Sequence, residues 1–295
     1  MIKKLMLLIL ITVFALTACD SDSPEEIELL SFNADEFPRL DGSTATIPLS
    51  EAAAAVLMGI DRSEASDFIN FSGTDRSFMN LLEDRADLLI VYTPSEATRR
   101  DTRIGNLNKQ PIGSDALVFI VNAANPVENL TIEQIRAIYS GEITNWNELG
   151  GHDAPIIPFQ RNTTAGSHAL MESLVMYDTD FIIPPLNQVI GGMGAMMTAV
   201  AEFDSGEHAI GYHVFFYVAE MMQNPNIRML SVNGVSPSQE TISSREYSLT
   251  NHFYAVIRPD EAEDSPARRM QLWLQSPEGQ ALIYMEGYAP LNTPR

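Results

Sequence analysis

The segment Phe159-Gln-Arg-Asn-Thr-Thr-Ala-Gly-Ser-His-Ala-Leu170 concentrates more usable chemistry than any other stretch of the chain. A strand-like run (Ile156, Ile157, Phe159) ends at Arg161, hydroxyls and a glycine follow, and an apolar-periodic helix begins with Leu170, Leu174 and Val175. A guanidinium fork beside free backbone N–H groups at a helix start is suited to an anion. The same residues also read as an ordinary helix cap with a surface arginine. Two further junctions have this makeup: Asp41-Gly-Ser-Thr-Ala-Thr-Ile-Pro-Leu49 and Phe71-Ser-Gly-Thr-Asp-Arg-Ser77. Each offers neutral hydroxyls, helix-start N–H groups and a glycine permitting close approach, a set that suits a small oxyanion. Singly, each is a turn or cap; three in one chain point to one shared cleft.

Other chemistries find less support. Ser167 and His168 are neighbours on one helix and point in different directions, so they do not form a nucleophile and base. The five histidines (His152, His168, His208, His213, His252) lack metal-ligand spacing. No enzymatic activity, cofactor or metal is expected. The net charge is −21, and no basic cluster exceeds Arg99, Arg100 and Arg103, which excludes a nucleic-acid partner. Such a charge also opposes long-range steering of anions, so an anion site must rely on short-range donors. Gly191-Gly-Met-Gly194 reads equally as a tight turn or as a set of helix N–H groups aimed at the cleft. Trp146, Trp273 and the run Phe215-Phe216-Tyr217 read as core.

These loops need elements to hold them. Ser50 to Ile60 has high helix propensity and ends near Gly59, and a second helix is expected over Phe78–Leu82. Thr131 with Gln134 three residues on is a capping signal, and Pro266 marks another helix start. Strands are expected at Asp87–Thr93, Ala116–Asn122, Ala209–Phe216 and Tyr254–Ile257. Alternating strands and helices imply an α/β fold with mostly parallel sheets, whose ligands collect where helices begin.

The N-terminus reads as a targeting segment. Lys3 and Lys4 precede an apolar run, Leu5–Leu16, too short for a comfortable membrane span. Leu16-Thr-Ala-Cys19 then resembles the lipobox of bacterial lipoproteins, and Cys19 is the only cysteine in the chain. That resemblance implies a signal peptide over residues 1–18, lipid on the Cys19 thiol and an outward-facing, membrane-held protein. Residues 19–30 are acidic and aperiodic and read as a solvated tether.

Three stretches are quite specific together: Phe119-Ile-Val-Asn-Ala-Ala-Asn-Pro-Val127, Leu130-Thr-Ile-Glu-Gln-Ile-Arg-Ala-Ile-Tyr-Ser-Gly-Glu-Ile-Thr-Asn-Trp-Asn-Glu-Leu-Gly-Gly151, and the arginine loop. With the Gly42-Ser-Thr loop, Ala209-Ile-Gly-Tyr212 and Gly287-Tyr-Ala-Pro-Leu291, the chain resembles the phosphate-binding lipoproteins that serve phosphate-specific ABC importers. The resemblance implies a type II periplasmic-binding-protein fold, with two sheets flanked by helices and a ligand cleft between domains. Residues 31–112 plus 246–295 would form domain I, and residues 113–245 domain II. It further implies a monomer that takes inorganic phosphate or a similar oxyanion and hands it to an ABC permease, at a membrane face toward the periplasm or cell exterior. The alternative is the same fold binding another oxyanion or a small acid, or a sensing or adhesion role without transport.

The family's anion contacts fall on Ser43, Thr44 and the Ala45 N–H, on Thr74, and on Arg161, Ala165, Gly166 and Ser167. Two positions depart from the pattern. Ala165 replaces a serine and keeps only its N–H. Tyr92 or Thr93 stands where the family has an aspartate that accepts the proton of hydrogen phosphate. Asp75 or Asp41 is a candidate substitute acceptor, or else a helix cap.

Overall fold

The computed structural model describes residues 30–202 and 208–291. The signal segment, Cys19 and the tether through residue 29 lie outside the described residues. From the amino end, β1 (Leu40–Gly42) leads through a 3-10 turn, Thr44–Thr46, into α1 (Ile47–Met58), with α2 (Arg62–Ala65) and α3 (Thr74–Leu82) behind it. Next come β2 (Leu88–Val91), α4 (Glu96–Arg99), α5 (Thr102–Gly105) and the long β3 (Asn108–Asn122). β4 (Asn129–Leu130), α6 (Ile132–Ser140), β5 (Ile157–Pro158), β6 (Gln160–Arg161) and α7 (Gly166–Leu174) follow. β7 (Val189–Ile190), α8 (Met193–Glu202), β8 (Ala209–Val214), β9 (Ile227–Met229) and β10 (Ser231–Val232) complete the middle of the chain. It closes with α9 (Gln239–Ser243), β11 (Thr250–Ile257), α10 (Pro266–Gln275), α11 (Pro277–Met285) and β12 (Ala289–Pro290).

The helix signals work as their chemistry requires. α1 starts earlier than its alanine run because Pro48 fits the first turn, where a missing N–H costs nothing, and it stops at left-handed Gly59. Thr131 and Gln134 form a reciprocal capping box on α6. Ser265 caps α10 ahead of Pro266.

The fold is α/β, with helices around strands that share one backbone: β1-β2-β11-β3-β8-β5 in order, with β12 and β9 also on β3. The expectation of mostly parallel pairing does not hold. β1–β2 and β5–β8 are parallel, whereas β2–β11, β11–β3, β12–β3, β3–β8 and β3–β9 are antiparallel. β11 runs back through the sheet against both β2 and β3, and a strand returning between outgoing ones must pair antiparallel.

β3 joins two ladders. Asn108–Ala116 pairs with β11, and Leu117–Val121 pairs with β8. Only the second half showed a strand pattern, since Pro111, Gly113 and Asp115 break the first. There the register with β11 shifts where Pro111, lacking an N–H, faces Tyr254. Two glutamines support the irregular stretch: Gln275 Nε2 donates to Pro111 O (3.0 Å) and buried Gln280 Nε2 to Ile112 O (2.7 Å). Ala116–Val121 is fully buried on both faces and explains the unbroken apolar run.

Candidate functional site

The three hydroxyl-rich loops meet. One cavity of about 560 Å³ is lined by Ser43, Thr44, Ala45, Thr74, Arg161, Ala165, Gly166 and Ser167, the eight contacts implied by the resemblance, and by Asp75, one of the two candidate acceptors. It also touches Ser72, Gly73, Arg76, Met79, Tyr92, Asn162, Thr164, Gly191 and Met193. β1 delivers the Ser43 loop, Gly73 at φ +87° turns the chain into α3, and β6 delivers Arg161 just ahead of α7.

The helix starts are bare. None of the 3-10 turn at Thr44, α3 and α7 has a side-chain cap on its first turn. Their leading N–H groups therefore carry partial positive charge without an internal partner. Ser43 Oγ and Thr74 Oγ1 lie 2.9 Å apart, and Tyr92 N donates to Ser43 Oγ at 3.2 Å, so these hydroxyls are already oriented. Gly166 lies hard against Thr74: a Cβ added there would stand 2.7 Å from Thr74 Oγ1 and 3.4 Å from Tyr92 Cβ. Only glycine lets the α7 start approach the α3 start this closely.

Arg161 is 5 % exposed and has no carboxylate partner among the described residues. Its Nε donates to Ile190 O (3.2 Å) and its Nη2 to Gly191 O (3.3 Å), while Nη1 is buried with no partner there. Burial pushes the guanidinium below its ordinary pKa, with the Tyr212 and Tyr217 hydroxyls opposing. The Gly191 turn thus contributes a carbonyl that positions the arginine. Asn162, next in sequence, also borders the cavity, and its Oδ1 is buried without a partner among the described residues. One unpaired donor beside one unpaired acceptor is unusual in a folded interior.

The candidate acceptors have structural duties. Asp75 accepts from Ser95 N (2.9 Å) on one oxygen and Ser95 Oγ (2.5 Å) on the other, tying α3 to the loop before α4. It caps no helix, and its carboxylate is committed to Ser95. Asp41 holds Gly42 N, Ser72 N and Asn80 Nδ2 beneath the first two loops and does not line the cavity. Tyr92 is 2 % exposed and donates to Asp115 Oδ2 at 2.5 Å. Asp115 also accepts from Ala116 N (2.7 Å) and Phe216 N (3.1 Å), and burial, partly offset by Tyr92, raises its pKa to about 6. Thr93 is not on the cavity wall.

His168 turns away from Ser167: its Nδ1 lies 2.8 Å from Tyr212 Oη, and its ring stacks on Phe181 at 5.0 Å. Burial, and then Arg161, push its pKa down to about 4, so the ring is neutral near pH 7. Trp146 and Phe215-Phe216-Tyr217 are buried as expected, whereas Trp273 is only partly buried. Asn162 and Arg76 were missed as wall residues. Asn162 adjoins Arg161, and Arg76 lies two positions into α3, so both belong to the segments whose helix starts line the cavity.

A family model described as a PBP superfamily domain matches residues 40–283. The chain belongs to the PBP superfamily. A Clostridium perfringens structure solved with bound phosphate is 26% identical, with a TM-score of 0.70, and the match covers 86% of this chain and 98% of that one. An ABC-type phosphate transport receptor from Vibrio cholerae shares the fold at TM-score 0.63 and 24% identity, over 84% of this chain and 98% of that one. The phosphate-binding protein PstS of Borreliella burgdorferi is 25% identical over 190 residues, 61% of this chain and 64% of its own length. PstS of Bacillus subtilis is 25% identical over 181 residues, 60% of this chain and 56% of its own length. The matches thus span less than two thirds of those two curated relatives.

Proposed function

We propose that this chain is an extracytoplasmic solute-binding lipoprotein that takes inorganic phosphate into the Arg161 cavity and delivers it to an ABC permease. The observation that carries the reading is convergence: three uncapped helix starts and a buried arginine with an unpaired Nη1 meet around one cavity. Phosphate supplies the oxygens that these donors lack, and donors fixed before binding lose little entropy on closing around it. The phosphate-bound Clostridium relative and the PstS relatives support phosphate as the ligand. The PBP-superfamily match and the phosphate-bound relative support a binding protein and not an enzyme.

The change of β3 partners between Ala116 and Leu117 supports a two-domain reading, slightly later in sequence than the division at residues 112–113. The cavity is then an interdomain cleft, with Ser43, Thr44 and Thr74 on one side and Arg161 and α7 on the other. Lipid on Cys19, following removal of residues 1–18, holds the monomer at the membrane. Cys19→Ala should shift the protein from the membrane to the soluble fraction.

A second reading, another oxyanion such as sulfate, is favoured by one observation: the wall's carboxylate, Asp75, is committed to Ser95. Calorimetric titration of phosphate and sulfate between pH 6 and 8 tests both. Selective phosphate binding, weakened by about 2–5 kcal/mol in Arg161→Ala, supports the proposal. Equal affinity for sulfate overturns the assignment to phosphate, and unchanged affinity in Arg161→Ala removes the role given to the arginine.

A further inference from the structure

A second cavity, of about 290 Å³, lies beside the short segment that ends in α4. That segment separates the two cavities: Ala97 and Thr98 border the anion site, while Pro94 and Arg99 border the second cavity. Its floor is Phe78, Leu107 and Val256, buried members of a small hydrophobic cluster distinct from the main core. Its rim carries Arg99 and Lys109.

Two cations, both exposed, are thus set over an apolar floor. The chain has 39 acidic residues against 18 basic ones, yet neither Arg99 nor Lys109 forms an ion pair among the described residues. The nearby Arg100 and Arg103 do pair, with Glu96 and Asp101 respectively. Lys109 rests over the Tyr254 ring, with Nζ 4.3 Å from its centroid. Its pKa is lowered, first by burial and then by repulsion from Arg99. The two like charges repel one another over an apolar floor that no carboxylate among the described residues lines, although Glu96 and Glu172 attract Arg99 from outside the cavity. A bound anion relieves that repulsion, and an apolar body covers the floor.

We propose that this cavity is a second binding site, for a small carboxylate with an apolar body: the carboxylate lies between Arg99 and Lys109, and the hydrocarbon part covers Phe78, Leu107 and Val256. The volume, at the low end for ligand pockets, limits the occupant to a small molecule. Inorganic oxyanions have no surface to place on the floor, which separates this site chemically from the Arg161 cavity.

The test is calorimetric titration of hexanoate and phenylacetate into the full chain saturated with phosphate, with acetate as the comparison. Saturable binding of hexanoate or phenylacetate, at least tenfold tighter than acetate, is expected. In Arg99→Gln/Lys109→Gln that binding should weaken at least tenfold with the melting temperature unchanged. It should persist in phosphate-free Arg161→Ala. Absence of saturable binding at millimolar ligand overturns the proposal. So does binding that survives the double substitution but is lost in Arg161→Ala, which would place the carboxylate in the anion cavity. Phosphate binding to Arg161→Ala that is abolished by the double substitution would instead mark the rim as an inorganic anion site.

Discussion

Gly166→Ala separates binding from folding, and its expected size follows from one contact. The new Cβ would sit 2.7 Å from Thr74 Oγ1, closer than Cβ atoms are found, and 3.4 Å from Tyr92 Cβ. Gly166 does not have a positive φ, so alanine fits its backbone, and a helix start tolerates alanine at least as well as glycine. The penalty therefore falls on the approach of α7 to α3. Overfilling a tight contact costs about 1–3 kcal/mol, which corresponds to phosphate binding weaker by about 5- to 150-fold. Calorimetry gives the affinity, and a melt without phosphate gives the stability, which should stay unchanged or rise slightly. Thr74→Ala removes the atom that the new methyl meets, so Gly166→Ala should cost less in that background. Equal loss of affinity in both backgrounds refutes the argument. So does a phosphate-free protein destabilised as much as binding is weakened, because the contact would then belong to the fold and not to closure.

Three other outcomes follow from the buried charges. Arg161→Met should raise the melting temperature of phosphate-free protein while weakening phosphate binding, because it removes a buried cation with an unpaired Nη1; a lower melting temperature would show that the guanidinium stabilises the fold. His168 and His213 have folded pKa values of about 4 and about 3, pushed down by burial and then by Arg161, against an ordinary 6.5. Below pH 6.5 the unfolded chain binds these protons and the folded one does not, so each group removes about 1.4 kcal/mol of stability per pH unit down to its folded value. His213→Asn, whose amide oxygen can accept from Val214 N, should flatten that slope in urea titrations; an unchanged slope would assign the acid sensitivity elsewhere. Asp115 acts in the opposite direction: its raised pKa means that stability is gained as pH falls from about 6 toward 3.8. Tyr92→Phe takes away a bond to the charged carboxylate and should cost about 1–3 kcal/mol at pH 8 and less at pH 5, with an equal cost at both pH values counting against the Tyr92–Asp115 bond.

The sequence by itself determined which three loops line the cavity. Hydroxyls, glycines and helix starts are local signals, so the loops at Ser43, Thr74 and Arg161 were legible one at a time, as was the capping box at Thr131–Gln134. Ala116–Asn122 was legible as a strand because it is buried on both faces and uniformly apolar. Its extension back to Asn108 was not, because Pro111 and Asp115 oppose it locally and pairing with β11 overrides them.

The duties of the acidic side chains were decided only by tertiary structure. Asp75 could not be assigned before Ser95, distant in sequence, was placed against it, and Tyr92 could not be read before Asp115 was placed beneath it. A carboxylate's role depends on which donors reach it, and those donors arrive from other elements. The contact of Gly166 with Thr74 is of the same kind: a glycine's use in close approach is invisible until its neighbour across the cavity is known.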